Sequence, residues 1–216
     1  MKIVKVETEA VSLPLDEEAF DSTAKWSEFN FLLVKVSTDS GITGLSDIAP
    51  LHGKEMGIFE KIILDKLSPK VVGENPYDVE RIWAKMVGFG SEAYALGRSG
   101  AVVTASSAID IALWDIISKS FNTPLYNLLG GKLKDSIELY ASFMGQPSTE
   151  RVKDVLLKGF RGVKVKVGFN VKSDIEYVRM LRNELGFEFK LMVDGNQGYS
   201  IEEAKAFAEM VKDFEI

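Results

Sequence analysis

The feature that most constrains the fold is a regular alternation of strand-like and helix-like segments beyond Gly130 and Gly131. Short runs rich in β-branched residues alternate with longer segments whose apolar residues recur at helical spacing. The predicted strands are 137–143, 162–167 and 189–193, and the predicted helices are 149–158, 173–185 and 201–212. Strands joined through helices run parallel, so residues 131–216 are predicted to form a parallel sheet, either open or part of a (β/α) barrel.

A complete barrel needs more chain than this alternation occupies. Eight strands typically take about 250 residues, whereas three βα units fill residues 131–216, and 214–216 resemble the start of a fourth strand. Three parallel strands alone would leave open sheet edges and apolar helix faces. We therefore expect an incomplete barrel, which would be a fragment, a naturally truncated product, or a chain that acquires structure from a second copy, as a homo-oligomer, or from a complementing polypeptide.

The first part of the chain has a different pattern. Residues 2–13 alternate between apolar and polar, 29–37 are rich in strand formers, and a turn at 38–41 leads into 42–48. These features predict a three-stranded antiparallel meander with a polar loop at 15–28.

Helical periodicity follows the strands. One predicted helix begins near Glu55, with Ile58, Ile62, Ile63 and Leu67 on one face. A second begins at 75–76, where Val79, Ile82, Trp83 and Met86 recur at helical spacing, and a long apolar helix with small residues on one side covers 100–120. Strands followed by helices predict an α+β domain over residues 1–130, before the partial barrel of residues 131–216.

Composition excludes several classes of function. Lys and Arg total 26 against 32 Asp and Glu, which gives a net charge of −6, so neither nucleic acid nor an anionic membrane is an expected partner. The chain has no cysteine for a disulfide or thiolate site, and its one histidine, His52, cannot build a multi-histidine zinc site. The N-terminus alternates like a strand instead of resembling a signal peptide, which favours a cytoplasmic protein.

Two lysines dominate the second predicted parallel strand. Lys164 and Lys166 are two residues apart and therefore lie on the same face of the strand, while valines point the other way. Burial and a neighbouring cation both lower the pKa of a lysine toward the range of a general base. The spacing alone favours the alternative of an edge strand whose lysines lie in water.

The next strand changes that balance. It ends in Asp194, followed by Asn196 and glycines, at the end of a parallel strand where α/β proteins bind ligands. Asp194 suits Mg²⁺ or Mn²⁺, and Asn196 can bind either a substrate oxygen or a group beside the metal ligands. Asp194 could instead cap the following helix, for which Ser200 is the better candidate. Lysines on one strand and a carboxylate on the next together indicate abstraction of a proton alpha to a carboxylate, with a metal-stabilised enolate.

Three segments carry a resemblance to a known family. Residues 107–131 resemble the helix and LLGG turn that join the two domains of the mandelate racemase/muconate lactonizing group of the enolase superfamily. Residues 163–168 resemble the K-x-K second barrel strand of that group, and 193–198 resemble its third strand, which carries the first metal ligand. All 216 residues follow the order of the family.

The resemblance implies a role for each site residue. Lys166 would be the base on one face of the substrate carbon, and Lys164 its electrostatic partner toward the substrate carboxylate. Asp194 would be the first of three metal carboxylates, and Asn196 would lie beside the substrate. Segments 15–28 and 51–55, the second of which contains His52 as a surface or lid residue, resemble the capping loops that select the substrate.

Departures from the family limit that inference. The family takes its other two metal carboxylates from the fourth and fifth barrel strands and its opposite-face acid/base from the sixth or seventh, which lie beyond these 216 residues; residues 44–47 also replace its usual G-x-G-E. One carboxylate cannot hold Mg²⁺ tightly. Two hypotheses stay open: an isomerase or lyase (racemase, epimerase, cycloisomerase or acid-sugar dehydratase) acting on a small carboxylate, and an inactive remnant that serves as an interaction or assembly protein.

Overall fold

A computed structural model describes residues 1–49, 56–97 and 99–216, except for the side chains of Glu92 and Leu96. The chain divides into two compact units. The first comprises Met1–Pro14 and Glu28–Leu133, and the second comprises Leu15–Ser27 and Lys134–Ile216. The segment Leu15–Ser27 therefore packs with residues more than 100 positions away along the chain.

The sheet of the first unit confirms the predicted meander. Its strands, in the order β1-β2-β3, are Ile3–Phe20 (β1), Lys25–Thr38 (β2) and Thr43–Ile48 (β3). Strands β2 and β3 are antiparallel, with Val34 opposite Ser46. Alternate residues of β2, including Leu32 and Val34, are buried, as the alternating pattern predicts.

The predicted polar loop at 15–28 is wrong. Strand β1 continues to Phe20 and β2 resumes at Lys25, so only a tight turn separates them. The Asp21 carboxylate accepts hydrogen bonds from the backbone N–H and hydroxyl of Thr23 and from the backbone N–H of Ala24. Most side chains at the ends of these two strands are exposed or only partly buried, so the strands tolerate polar residues that the sequence pattern assigns to a loop.

Six helices complete the first unit within its described residues. They are Met56–Lys61 (α1), Ser68–Val71 (α2), Val79–Val87 (α3), Glu92–Leu96 (α4), Ala101–Ser120 (α5) and Leu125–Leu128 (α6). Residues Ile62–Leu67 between α1 and α2 are π-helical, and this wider turn shifts the buried face. Ile63 and Leu67 are therefore buried as predicted, but Ile58 is exposed. Helix α3 confirms its prediction, with Ile82 and Met86 fully buried.

Helix α5 packs closely on β3. A Cβ atom on Gly44 would lie 1.9 Å from the carbonyl oxygen of Ala112, so only glycine fits at this crossing. The hydroxyl of Ser46 donates to the carbonyl of Ala108 at 2.6 Å. Length and composition alone would let α5 cross a membrane, but nine of its residues are buried in the core of the unit.

The second unit confirms the predicted parallel βα alternation. Its elements are Ala141–Ser142 (β4), Thr149–Leu157 (α7), Gly162–Lys166 (β5), Val171–Leu185 (α8), Lys190–Asp194 (β6) and Ile201–Val211 (α9). The parallel sheet has the order β4-β5-β6. Valines on β5 and apolar residues on the helices form its core, which is the start of a partial barrel.

Two boundaries in this unit differ from the prediction. The strand expected at 137–143 is limited to Ala141–Ser142, the two residues that pair with β5, and Ile137 and Leu139 are exposed. Residues Lys212–Phe214 form a 3₁₀ turn where a fourth strand was expected to begin. The buried guanidinium of Arg182 donates to carbonyls of this terminal segment, which satisfies them without a strand partner.

Candidate active site

The site begins with the two faces of β5. Val163, Val165 and Val167 are buried on the side of the helices, and Lys164 and Lys166 project from the other side. Strand β5 lies between β4 and β6, and Lys166 is only 5% exposed. The alternative of a solvated edge strand is therefore wrong.

Strand β6 places Asp194 directly beside Lys166 in the parallel register. The Nζ atom of Lys166 donates to Asp194 Oδ2 at 2.9 Å and to Asn196 Oδ1 at 2.5 Å. The Nζ atom of Lys164 lies 3.2 Å from the same Asp194 oxygen. All four side chains predicted from the sequence thus meet in one cluster at the carboxyl ends of adjacent strands.

The electrostatics of the cluster keep Asp194 ionised. Partial burial by itself raises the pKa of this carboxyl group, but hydrogen bonds from Lys166, from the Asn196 N–H and from Lys164 lower it more. The net effect lowers the pKa of Asp194 from 3.8 to about 2. With both lysines protonated, two ammonium groups face one carboxylate, which leaves a positive charge for an anionic ligand.

The turn after β6 directs Asn196 back toward Lys166. Asn196 and Gln197 have positive φ values of 43° and 64°, a conformation that asparagine tolerates better than most residues. The Asn196 N–H donates to Asp194 Oδ1 at 3.1 Å. Asp194 therefore holds both the backbone of this turn and the lysine that the Asn196 side chain contacts.

The residues of the cluster do not by themselves fit a magnesium ion. Asp194 Oδ2 contacts both lysines and its Oδ1 accepts from Asn196 N. Over residues 1–49, 56–97 and 99–216, no group of three or more histidine and acidic residues is placed to hold a metal. Because Mg²⁺ takes six ligands, mostly oxygens, a site built on Asp194 would need further oxygen ligands.

The hairpin tip contributes residues that sequence patterns did not single out. The Ser22 hydroxyl donates to the carbonyl of Gly195 at 2.7 Å, beside Asp194. The ring of Phe20 lies 5.8 Å from that of Phe169, in the loop after β5. Leu15–Ser27, which is nearly all of the predicted capping segment 15–28, thus belongs to the same compact unit as the lysines. The other predicted capping segment, 51–55 with His52, lies outside the described residues.

Tyr140 is a second residue that the sequence did not indicate. Its ring centroid lies 6.0 Å from Lys164 Nζ, within the range of a cation–π contact. Tyr140 lies just before β4. It falls inside the longer strand predicted at 137–143, so its contact with Lys164 was not expected.

The architecture and this cluster define a class: an α+β domain joined to the parallel βα units of an enolase-type barrel, with a lysine pair beside a carboxylate. Comparison with known proteins agrees with that class. Residues 4–130 match the mandelate racemase/muconate lactonizing enzyme N-terminal domain, and 148–216 match the enolase C-terminal domain-like family. The chain belongs to the mandelate racemase/muconate lactonizing family of the enolase superfamily.

Individual proteins are similar to this chain over most of its length. The chain is 31% identical to N-succinyl-L-Arg/Lys racemase of Bacillus cereus, over 92% of this chain and 53% of the relative. It is 33% identical to 3,6-anhydro-alpha-L-galactonate cycloisomerase of Streptomyces coelicolor, over 99% and 60%. It superposes with a TM-score of 0.91 on a magnesium-bound racemase from Streptomyces coelicolor A3(2), at 31% identity, covering 99% of this chain and 60% of that one. The chain thus spans little more than half the length of these relatives.

Proposed function

We propose that this chain supplies the proton-abstracting part of an isomerase or lyase site that acts alpha to a carboxylate. The observation that carries the proposal is the cluster itself, in which the buried Lys166 Nζ lies 2.9 Å from Asp194 and Lys164 lies on the same face of the strand. The relatives named as a racemase and a cycloisomerase support this class of reaction.

In the proposed reaction Lys166, as the free amine, accepts the proton from the substrate α-carbon. The C–H bond breaks, its electron pair moves into an enediolate on the substrate carboxylate, and Lys166 becomes an ammonium group. Lys164 pairs with the substrate carboxylate and stabilises the charge that develops there. Asn196 hydrogen-bonds a substrate oxygen.

A magnesium role for Asp194 is part of the proposal. Its carboxylate is of the type that Mg²⁺ binds, and a related racemase contains this ion. The proposal requires oxygen ligands beyond Asp194, and it requires the lysines to give up their shared contact with Asp194 Oδ2. Manganese, cytoplasmic location and assembly into a homo-oligomer or with a complementing polypeptide stay predictions.

The second candidate function is that of an inactive interaction or assembly protein. Exposed apolar side chains in the second unit favour it, because Ile137, Leu139 and Leu157 are each more than two-thirds exposed. Large apolar side chains exposed in this way can mark a surface that another chain covers. The two candidates differ in whether the lysine cluster acts on a substrate.

Exchange of the substrate α-proton tests the proposal. The protein is incubated in D₂O with Mg²⁺ and a panel of N-succinyl amino acids, dipeptides and acid sugars, and deuterium incorporation is followed by NMR. We expect incorporation into at least one carboxylate, and a loss of about 10²–10⁴-fold in Lys166→Met, which is the usual contribution of a general base.

Lys190→Met is the matched control, because Lys190 lies on the neighbouring strand but is exposed and pairs with Glu138. It should retain the rate of the unsubstituted protein. Absence of exchange with every compound, together with no Mg²⁺ binding by calorimetry, would favour the interaction protein instead.

A further inference from the structure

A second carboxylate, Asp174, is buried at the end of the parallel sheet that carries the cluster. It is in the first turn of α8 and has no exposed surface. It accepts five hydrogen bonds from neutral donors. These are Gln146 Nε2 to Oδ1 at 3.0 Å, the backbone N–H groups of Gly168, Phe169 and Asn170 to Oδ2 at 3.0 Å each, and the Tyr199 hydroxyl to Oδ2 at 2.7 Å.

The donors come from the three loops that follow the three parallel strands. Gln146 follows β4, residues 168–170 follow β5, and Tyr199 follows β6. A single buried side chain therefore connects the chain segments at the end of the sheet where Lys166 and Asn196 lie. Burying a carboxylate is costly unless it is hydrogen-bonded, so this arrangement would be lost if any loop moved away.

Helix capping does not account for Asp174. The side chain of Asn170 already caps α8, accepting from the N–H groups of Lys172 at 3.1 Å and Ser173 at 3.2 Å. Two of the five donors to Asp174, Gln146 and Tyr199, belong to loops outside the β5–α8 connection. The contacts of Asp174 thus extend beyond its own β5–α8 connection to the loops after β4 and β6.

The connection reaches the lysine strand directly. Besides donating to Asp174, Gln146 Nε2 donates to the carbonyl of Lys166 at 3.2 Å. The N–H of Lys166 donates to the carbonyl of Gly145 at 3.1 Å. Both the N–H and the carbonyl of Lys166 are therefore bound by the loop after β4, whose Gln146 also donates to Asp174.

The connection reaches Asn196 through Tyr199. Burial, together with the hydrogen bond to Asp174, raises the pKa of the Tyr199 hydroxyl, so it stays a donor. Tyr199 ends the turn in which Asn196 and Gln197 have left-handed backbone conformations, and such conformations persist only where the surroundings hold them. The same turn touches the β5 loop, because a Cβ atom on Gly168 would lie 2.4 Å from the carbonyl oxygen of Gly195.

We propose that Asp174 is a positioning residue that fixes Lys166 Nζ and Asn196 Oδ1 relative to each other by clamping the three loops together. Its catalytic consequence rests on the proposed function. The clamp itself does not, because it is defined by the hydrogen bonds of a buried side chain.

The test compares Asp174→Asn with Arg182→Gln. Arg182 is on the same helix, is 2% exposed and donates four hydrogen bonds to backbone carbonyls, but at the other end of the helix from Asp174. Both substitutions should destabilise the fold. Only Asp174→Asn, which removes the clamp, should change the geometry of Lys166 and Asn196.

Two measurements separate these effects. Amide hydrogen exchange by NMR should become about tenfold faster at Phe169, Asn170 and Asn196 in Asp174→Asn than in Arg182→Gln, as expected for a lost hydrogen bond. The turnover of α-proton exchange should fall by about 10²-fold in Asp174→Asn with little change in KM, since misplacing a base by about 1 Å costs this much. Arg182→Gln should retain the turnover of the unsubstituted protein.

Equal amide exchange in the two variants would overturn the clamp, whatever the activity. If the unsubstituted protein shows no α-proton exchange, the proposed function fails while the amide measurement still decides the clamp. Should Asp174→Asn not fold, Tyr199→Phe removes one donor only and should speed amide exchange at Asn196 more than at Asn170. Equal exchange at these two sites in Tyr199→Phe would also overturn the proposal.

Discussion

Two aspartates at the same end of the parallel sheet are held in opposite ways. Asp194 faces two ammonium groups, and its side chain is 30% exposed. Asp174 is fully buried and accepts only from neutral donors in its five hydrogen bonds. A carboxylate that water can reach is able to exchange its lysine partners for a ligand. A carboxylate enclosed by five neutral donors cannot make that exchange, and this difference is the basis for proposing a chemical role for Asp194 and a positioning role for Asp174.

The largest expected difference between the two aspartates is in folding stability. Asp174→Ala leaves buried donors without an acceptor and should lower the free energy of unfolding by about 4 kcal/mol. Asp194→Ala should cost about 1–2 kcal/mol, because Lys164 is partly exposed and the buried Lys166 keeps Asn196 Oδ1 as an acceptor. Urea denaturation of both variants measures the difference, and equal losses would contradict the division of roles.

Close contact between the β5 and β6 loops gives the next effect. Gly168→Ala adds a Cβ atom 2.4 Å from a carbonyl oxygen at a φ of 93°, and we expect a loss of about 3 kcal/mol. Gly186→Ala is the control, since its φ is 70° but nothing lies within 4 Å of the added atom. Its loss should be about 1 kcal/mol. Similar unfolding midpoints for the two variants would show that the loops can separate without cost.

Acid should weaken the Asp194 cluster within a narrow pH window. The folded-state pKa of about 2 is below the usual 3.8, so the native state binds fewer protons between these values than the unfolded state. The stabilisation is complete above pH 4 and is lost as the pH falls toward 2, and it amounts to about 1 kcal/mol after solvent screening. The difference in unfolding free energy between the unsubstituted protein and Asp194→Asn should shrink across that window. A difference independent of pH would contradict the ion pairs.

The smallest effect is expected at the surface. Lys190 and Glu138 form an ion pair with both side chains more than half exposed. Lys190→Met should change the free energy of unfolding by less than about 0.5 kcal/mol, as is usual for exposed pairs. A larger loss in urea denaturation would show that charge pairs in this unit stabilise the fold regardless of burial, which would weaken the contrast between the aspartates.

Periodicity predicted the elements whose burial follows a regular repeat. The valines and lysines of β5, the buried Ile82 and Met86 of α3 and the long helix α5 all lie as expected. The sequence predictions fail where the local helix type or a tertiary contact determines the conformation. Ile58 is exposed, and a π-helical segment follows its helix. Phe214 lies in a 3₁₀ turn instead of a strand, and Arg182 binds its carbonyl and that of Glu215.

For the site, strand spacing by itself placed Lys164 and Lys166 on one face, and the order of the strands placed Asp194 beside them. Both placements can be predicted from general strand geometry, because side chains two residues apart share a face and parallel strands have their carboxyl ends at the same edge of the sheet. The contact of Ser22 with Gly195 and the clamp around Asp174 were decided by tertiary structure alone. Each includes single hydrogen bonds between residues distant in sequence, such as Asp174 with Gln146 or Tyr199, and such bonds leave no periodic pattern in the sequence.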